Sequence, residues 1–427
     1  MRDAPEALHV VVLGGGFAGL AFCQALRDPR FRITLIDRQN HHLFQPLLYQ
    51  VATAGLSMPD IAQPLRSILA DHDNVTTLMD EVRRVDMTGQ RVECVGHSVA
   101  YDFLVIGLGA QTGYFGRSEW GLHTMGLKTL EDAMEIRHRV LLSFEQAEMS
   151  DDPHEVDRLL TMVVVGGGPT GVEMAGSLAE LARRALKRDF RRIDPSKARI
   201  HLIEAGPRVL PAMPERLSDY TAAQLARLGV TVHLNCPVRD VGPGRVEAGT
   251  VSLRAGVVIW AAGVEANALT RTLGPDIPLD RGGRIEVRPD LSVPGHPEVF
   301  AAGDIVSLVD KNGVRVPGVA PAASQMGRHI ARLILEDARF QAVGRRFRTE
   351  IPRPAFAYWD KGNMATIGRS KAVAAAGPLQ FTGLLAWLMW LFIHLLFLVG
   401  MRNRVSVFLQ WIWAYVTWER GARIFTR

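Results

Sequence analysis

Cysteine is nearly missing from this chain. Cys23, Cys94 and Cys236 are the only three in 427 residues, with no Cys-x-x-Cys and no paired spacing. That excludes a disulfide framework and a cysteine-bound zinc site, and it fits a reducing compartment. No metal centre is expected. Nothing resembles a nucleic-acid-binding module, and the net charge of +5 is mild, of use to a membrane surface or an acidic ligand. No signal peptide is expected, because the first apolar strand follows the start almost at once. With 48% hydrophobic and 22% charged residues, the composition is that of a folded protein with a large core, and the length suggests two or three domains.

What is present is organised around residues 9–37. An apolar run, Val10–Leu13, leads into Gly14-x-Gly16-x-x-Gly19; then come a helix-forming stretch, Leu20–Arg27, a second apolar run, Ile33–Ile36, and Asp37. Strand, glycine turn, helix, strand and acid make up a dinucleotide-binding unit. Gly14 makes the turn, Gly16 lets the backbone approach a pyrophosphate, and Gly19 lets the helix pack on the strand. The helix N-terminus offers free N–H groups to the phosphates, and Asp37 is placed to accept from a ribose. Gly15, Phe17, Ala18 and Arg38 complete this expected site.

The pattern then repeats. Thr161–Gly171 carries Gly166-x-Gly168-Pro169-Thr170-Gly171, a helix is expected to about Arg188, and the strand Arg199–Ile203 ends in Glu204. The gap from Gly171 to Glu204 exceeds the usual ~20 residues, and the basic extension Arg183–Lys197 accounts for it. Asp102–Gly109, followed by Ala110, and Val257–Gly263, with Ala262 and Gly263, read as the returning strands of the two units. Val299–Phe300 runs into Ala301-Ala302-Gly303-Asp304 ahead of a helix from about Ala320 to Leu335, the return to the first domain. Residues 41–52 read as a loop entering a short helix, and residues 75–94 as a small β-meander. The fold class expected is therefore α/β: two Rossmann-like domains, the second inserted in the first, plus a C-terminal helical region. The expected divisions are residues 1–118 and 266–340 for the first domain, 119–265 for the second, and 341–427 for the tail. The first domain suits FAD, with Asp304 and the helix from Ala320 completing its site. The second suits a nicotinamide, because Glu204 would accept from the adenine ribose 2′-hydroxyl and repel a 2′-phosphate. Arg208, four residues on, could weaken that preference for NADH.

The tail differs in composition. Leu379–Gly400 contains no Asp, Glu, Lys or Arg, and on length it qualifies for a membrane span. Gln380, Thr382 and His394 weaken that case. Phe408, Trp411, Tyr415 and Trp418 follow at helical spacing, with Arg402, Arg404, Arg420, Arg423 and Arg427 around them. Tryptophan and arginine flanking apolar helix mark a membrane interface, so attachment to the bilayer surface is the preferred reading over a buried hairpin, a dimer interface or a true span.

GGGFAGL, DRQNHHLFQPLLYQVATAGLS, VVVGGGPTGVEMAGSLAEL, AAGD, VPGVAPAASQMG and the Trp/Arg-rich tail together resemble the type II NADH dehydrogenases, over about residues 8–425. That resemblance implies a single-chain, FAD-containing NADH:quinone oxidoreductase that does not pump protons. It implies monotopic attachment to the cytoplasmic face of a bacterial-type inner membrane, and a homodimer. Glu173 matches the family's glutamate near nicotinamide and flavin. The family's Ala-Gln-x-x-x-Gln quinone motif reads Ala320-Pro321-Ala322-Ala323-Ser324-Gln325 here, so Gln325 matches and Pro321 replaces the first glutamine. Lys371 resembles a lysine near the quinone tunnel. A disulfide reductase would need a cysteine pair where this chain has HHLFQPLLYQ. The alternatives kept open are a sulfide:quinone oxidoreductase-like enzyme, a flavoprotein reductase with a protein acceptor and, outside enzymes, a membrane-bound redox sensor.

Overall fold

A computed structural model describes residues 7–341 and 352–425. Arg427 lies outside them. The chain forms two compact units. One comprises residues up to His42, Gln63–Gln111 and Val264–Lys361; the other comprises Leu43–Ala62, Thr112–Gly263 and residues from Gly362 onward.

The first unit is built on a six-stranded sheet in the order Ser292–Val293, His296–Ala301, Phe103–Ile106, Leu8–Leu13, Phe31–Asp37, Val75–Met79. Every neighbour pair is parallel except the first. Val10, Val11, Val12 and Leu13 are fully buried, as are Leu104, Val105 and Ile106, because parallel strands are covered on both faces and select continuous apolar runs. Val75–Met79 belongs to this sheet, pairing with Ile33–Asp37, and only the strands Val82–Asp86, Arg91–Cys94 and Ser98–Ala100 form the antiparallel meander. The expected meander over 75–94 therefore begins one strand later. Val75–Met79 finds its partner across an intervening helical segment, and its alternation carries no mark of that long-range pairing. The Ala320–Gln341 helix lies on the Phe17–Ala25 helix, and Gly327 permits the approach: a Cβ there would stand 2.2 Å from the Ala18 carbonyl oxygen.

The second unit repeats the plan with a parallel sheet ordered Val230–His233, Arg199–Ile203, Thr161–Val165, Val257–Trp260. The Pro169–Glu180 helix follows the central strand and continues as a wider π-type turn over Leu181–Ala185. The tail completes this unit. Leu379–Thr382 is not helical but the third strand of a sheet with Asn363–Gly368 and Lys371–Ala376. The Gly383–Phe397 and Met401–Thr417 helices follow. The apolar stretch from Leu379 is thereby divided, and among the described residues no helix is long and apolar enough to cross a membrane.

Candidate active site

The two glycine turns superimpose residue for residue in their bonding. Gly14 N–H donates to the Ile36 carbonyl at 2.8 Å, and Gly166 N–H to the Ile203 carbonyl at 2.7 Å. Both glycines sit at positive φ, +96° and +110°, where a side chain is strained. A Cβ on Gly19 would stand 2.0 Å from the Gly14 oxygen, and one on Gly171 would stand 1.8 Å from the Gly166 oxygen. These third glycines let each helix start against its own turn. Gly16 and Gly168 instead face open space, with nothing within 4 Å of a Cβ. That is the room a pyrophosphate backbone contact needs. Both helices carry no acid in the first turn, so their N-termini are free to attract an anion.

The acids occupy equivalent places. Asp37 accepts from Gly15 N–H at 2.6 Å and Gln39 N–H at 2.7 Å. Glu204 accepts from Gly167 N–H at 2.6 Å and Gly206 N–H at 2.7 Å. Each fixes its own turn and stands beside it, and burial pushes the Asp37 carboxyl up. Arg38, Pro169 and Thr170 are exposed, while Phe17, Ala110, Ala262, Gly263 and Ala320 are half-buried. Arg208 is half-buried and donates to the Pro211 carbonyl at 3.0 Å. Gly303 has φ +84°, and its N–H points at the Met326 sulfur, 3.3 Å away, which sets half-buried Asp304 at the head of the segment leading to Ala320.

In the second unit, one face of the Pro169–Glu180 helix carries Glu173, Ser177 and Glu180, spaced i, i+4, i+7. The Asn363–Gly368 strand lies against it. Gly176 makes the contact close enough: a Cβ there would be 1.8 Å from the Ile367 oxygen. Thr366 N–H thus reaches Glu173 Oε1 at 3.3 Å, and Arg369 N–H reaches Glu180 Oε1 at 2.5 Å. A cavity of about 140 Å³ opens here, walled by Glu173, Glu180, Arg369, Tyr49, Trp390 and Trp411 among others. Burial pushes the Glu173 carboxyl up to about 8, against weaker pulls downward from the Thr366 amide and the Trp390 indole. At pH 7 it is therefore mostly an acid carrying its proton.

Sequence reasoning missed Glu180, Arg369, Trp390 and the inward role of Arg420. Arg420 is part of the tail's latch. It donates to the Thr53 carbonyl at 2.7 Å and lies 3.6 Å from Glu180 Oε2. Trp411 Nε1 donates to Gln50 Oε1 at 2.8 Å, and the Arg369 guanidinium covers the rings of Tyr415 and Trp418 at 3.9 and 4.2 Å. These are residues whose composition suggested a membrane belt, and the structure turns them toward their own unit. Replacing Arg420 by Met would strand Glu180, at an expected cost of about 3–5 kcal/mol, seen as a lowered Tm. The double variant Arg420→Met/Glu180→Leu should recover most of that loss. An unchanged Tm in the single variant would show that the pair does not hold the tail.

Gln325 lies in the first unit. Its amide donates to the Trp359 carbonyl at 3.0 Å and accepts from the Trp359 N–H at 2.9 Å. Lys371 is in the second unit, exposed at the start of its strand, and does not line the cavity. The three cysteines are all pushed up by burial, Cys23 to about 12 and Cys94 to about 11, and Cys236 donates to the Ala248 carbonyl at 3.0 Å. None is a thiolate near neutral pH, as a sulfide-oxidising site requires.

Residues 8–327 match the pyridine nucleotide-disulphide oxidoreductase model, and residues 360–417 match the NDH2 C-terminal domain. The chain is 42% identical to the type II NADH:quinone oxidoreductase Ndh of Mycobacterium tuberculosis, over 98% of this chain and 90% of that one. The chain belongs to the type II NADH:quinone oxidoreductase family. Of solved structures, NDH2 of Plasmodium falciparum aligns over 99% of this chain and 100% of its own, with a TM-score of 0.89 at 21% identity. The sulfide:quinone oxidoreductase of Aquifex aeolicus aligns over 93% and 92%, with a TM-score of 0.72 at 18% identity, a likeness of fold alone. The type II C-terminal domain contributes the hairpin and tail helices that wall the cavity beside Glu173.

Proposed function

We propose that this chain oxidises NADH and reduces a membrane quinone, using bound FAD, without pumping protons. The observation that carries this reading is Glu173. It is a protonated carboxyl on the wall of a cavity formed by the family's C-terminal domain, in a chain that also carries two complete dinucleotide turns. The balance is NADH + H⁺ + quinone giving NAD⁺ + quinol. FAD supplies the acceptor for the hydride and the source of the two electrons.

The chain's own residues bind, orient and protonate. Gly14–Gly19 and the helix behind them would hold the FAD pyrophosphate, Asp37 its ribose, and Arg38, Ala110, Gly303, Asp304 and Ala320 the rest of the cofactor. Gly166–Gly171 hold the NADH pyrophosphate, Glu204 its ribose, with Ala262 and Gly263 beside the nicotinamide. Glu173 delivers a proton to the quinone. Gln325 contributes a carbonyl contact once it exchanges its Trp359 partner, and Lys371 adds positive charge at the hairpin. Steady-state oxidation of NADH by the detergent-solubilised protein should require added short-chain quinone. Equal rates without it would refute the assignment. Glu204→Ala should shift the NADH/NADPH ratio of kcat/KM toward NADPH by about tenfold, as loss of a charge-assisted ribose contact implies; an unchanged ratio would place the discrimination elsewhere.

Attachment to the membrane surface rests on the apolar side of the tail helices. Leu388 and Phe392 on one, and Trp413 and Val416 on the other, are 50%, 67%, 60% and 71% exposed. Large apolar side chains left in solvent along both helices mark an interaction surface. We assign it to the cytoplasmic leaflet, and the oligomeric state to a homodimer by family analogy. The variant Trp413→Ser/Val416→Ser removes side chains worth about 1.5–3 kcal/mol each on burial and should leave anionic vesicles in a flotation assay while retaining FAD. Continued flotation would locate the attachment elsewhere.

A further inference from the structure

Several buried hydrogen-bond donors in the second unit close no hydrogen bond, and two of them share one cavity. Trp390 Nε1 and Arg369 Nη1 are shut from solvent and close no hydrogen bond, although the Trp390 indole faces Glu173 closely enough to pull its carboxyl down. Both residues line the cavity that Glu173 walls. An unmade buried bond costs about 1–3 kcal/mol, and native proteins carry few such groups without a water, ion or ligand to meet them. Neither donor is loosely held. Trp390 is 1% exposed, stacked on His394 at 4.0 Å and tilted against Trp411 at 5.6 Å. Burial pushes His394 down to about 4, and its Nδ1 lies 2.7 Å from the Trp390 carbonyl oxygen, so the stack is an uncharged one near pH 7. Arg369 is gripped between two aromatic rings and tied through its own amide to Glu180.

We infer that Trp390 Nε1 and Arg369 Nη1 are the hydrogen-bond donors that receive the quinone head group. The inference rests on the function proposed above and adds two residues that the family motifs do not mark. The cavity's chemistry selects this ligand. A quinone carbonyl only accepts, and the wall offers two fixed donors and the acid form of Glu173. A free anion would meet Glu173 and Glu180 as well as Arg369. A volume of about 140 Å³ is below the ~300–1,000 Å³ of a site that encloses a whole drug-sized ligand. It suits one ring, with the isoprenoid tail left to run outward past Trp387 and Leu391.

The donors also act on the reaction. As two electrons arrive, negative charge grows on the carbonyl oxygen, and fixed donors in a dry site stabilise it without reorganisation. Of the two protons taken up, one derives from the hydride and the other comes from solvent by way of Glu173. The product's hydroxyl is itself a donor and meets Trp390 and Arg369 less well than the carbonyl did, which favours release of quinol.

The test is Trp390→Phe, which keeps a ring and removes the N–H. In the FAD-loaded protein, kcat/KM for a short-chain benzoquinone should fall about tenfold or more, the loss of one directed bond, and calorimetric affinity for that quinone should weaken in parallel. The rate of flavin bleaching by NADH should not change. Arg369→Met provides the same reading should Trp390→Phe fail to retain FAD. Unchanged quinone kinetics and affinity in a loaded variant would overturn the inference and assign the two donors to buried water. A wild-type protein that is bleached by NADH but never reoxidised by quinone would instead defeat the underlying function.

Discussion

Glu173→Gln is expected to lower NADH:quinone turnover by about 10²–10⁴-fold, the range of a lost general acid, while leaving flavin bleaching by NADH intact. The side chain keeps its shape and its bond to the Thr366 amide changes partner atoms only; what goes is the transferable proton. The pH profile carries the second half of the prediction. Glu173 holds its proton up to about pH 8 because burial disfavours the charge. Of the groups that face it, Tyr49 is pushed well above its usual range by burial, and burial also pushes Glu180 up, against the downward pulls of Arg420 and Arg369. Turnover of the wild type should therefore decline as pH rises through about 8, and the residual turnover of the variant should lack that limb. Stability follows the same sign. The folded state retains a proton that the unfolded chain releases near the ordinary value of 4.5, so this carboxyl's contribution is complete below that value and is lost as pH rises toward 8. The Gln variant should show a flatter Tm against pH across that window. Unaltered turnover in Glu173→Gln would remove the acid role.

Gly171→Ala should reduce NADH affinity by about tenfold to a hundredfold, the equivalent of 1–3 kcal/mol of overpacking, with FAD still bound. Its Cβ would fall 1.8 Å from the Gly166 oxygen, so the helix start must move away from the turn. Gly168→Ala is the informative contrast. Open space surrounds that Cβ, so the protein should melt as the wild type does, yet a methyl group would stand where the phosphate approaches. Weak NADH binding with an unchanged Tm separates the ligand-facing glycine from the packing glycine. Equal effects on Tm from both would mean that the turn's roles are not divided in this way.

These glycine positions were legible in the sequence because each is required by backbone geometry within a short stretch. The register follows from the same locality: Leu13 stands opposite Ile36, and Val165 opposite Ile203, which puts Asp37 and Glu204 one residue beyond the pairing. The tail was legible only in part. Its tryptophans and arginines have two physical uses, at a lipid interface or against buried acceptors, and composition does not choose between them. Trp411 bonds to Gln50 and Arg420 to Glu180, partners hundreds of residues away. Trp413 and Val416 keep the outward role. Glu180 could have been suspected from its seven-residue spacing after Glu173, which places both on one helical face. Nothing local could reveal that Gly176 would admit the Asn363–Gly368 strand to within contact of that face. Trp390 was read only as part of an apolar run, because an unused donor is visible only once its surroundings are built.

The central claim is that one flavin-bearing chain performs both half-reactions, and an anaerobic titration of the purified, detergent-solubilised protein tests it most directly. NADH should bleach the flavin absorbance, and a short-chain quinone added afterwards should restore it rapidly and in full. Bleaching that quinone does not reverse would contradict the account and shift the electron acceptor to a protein partner.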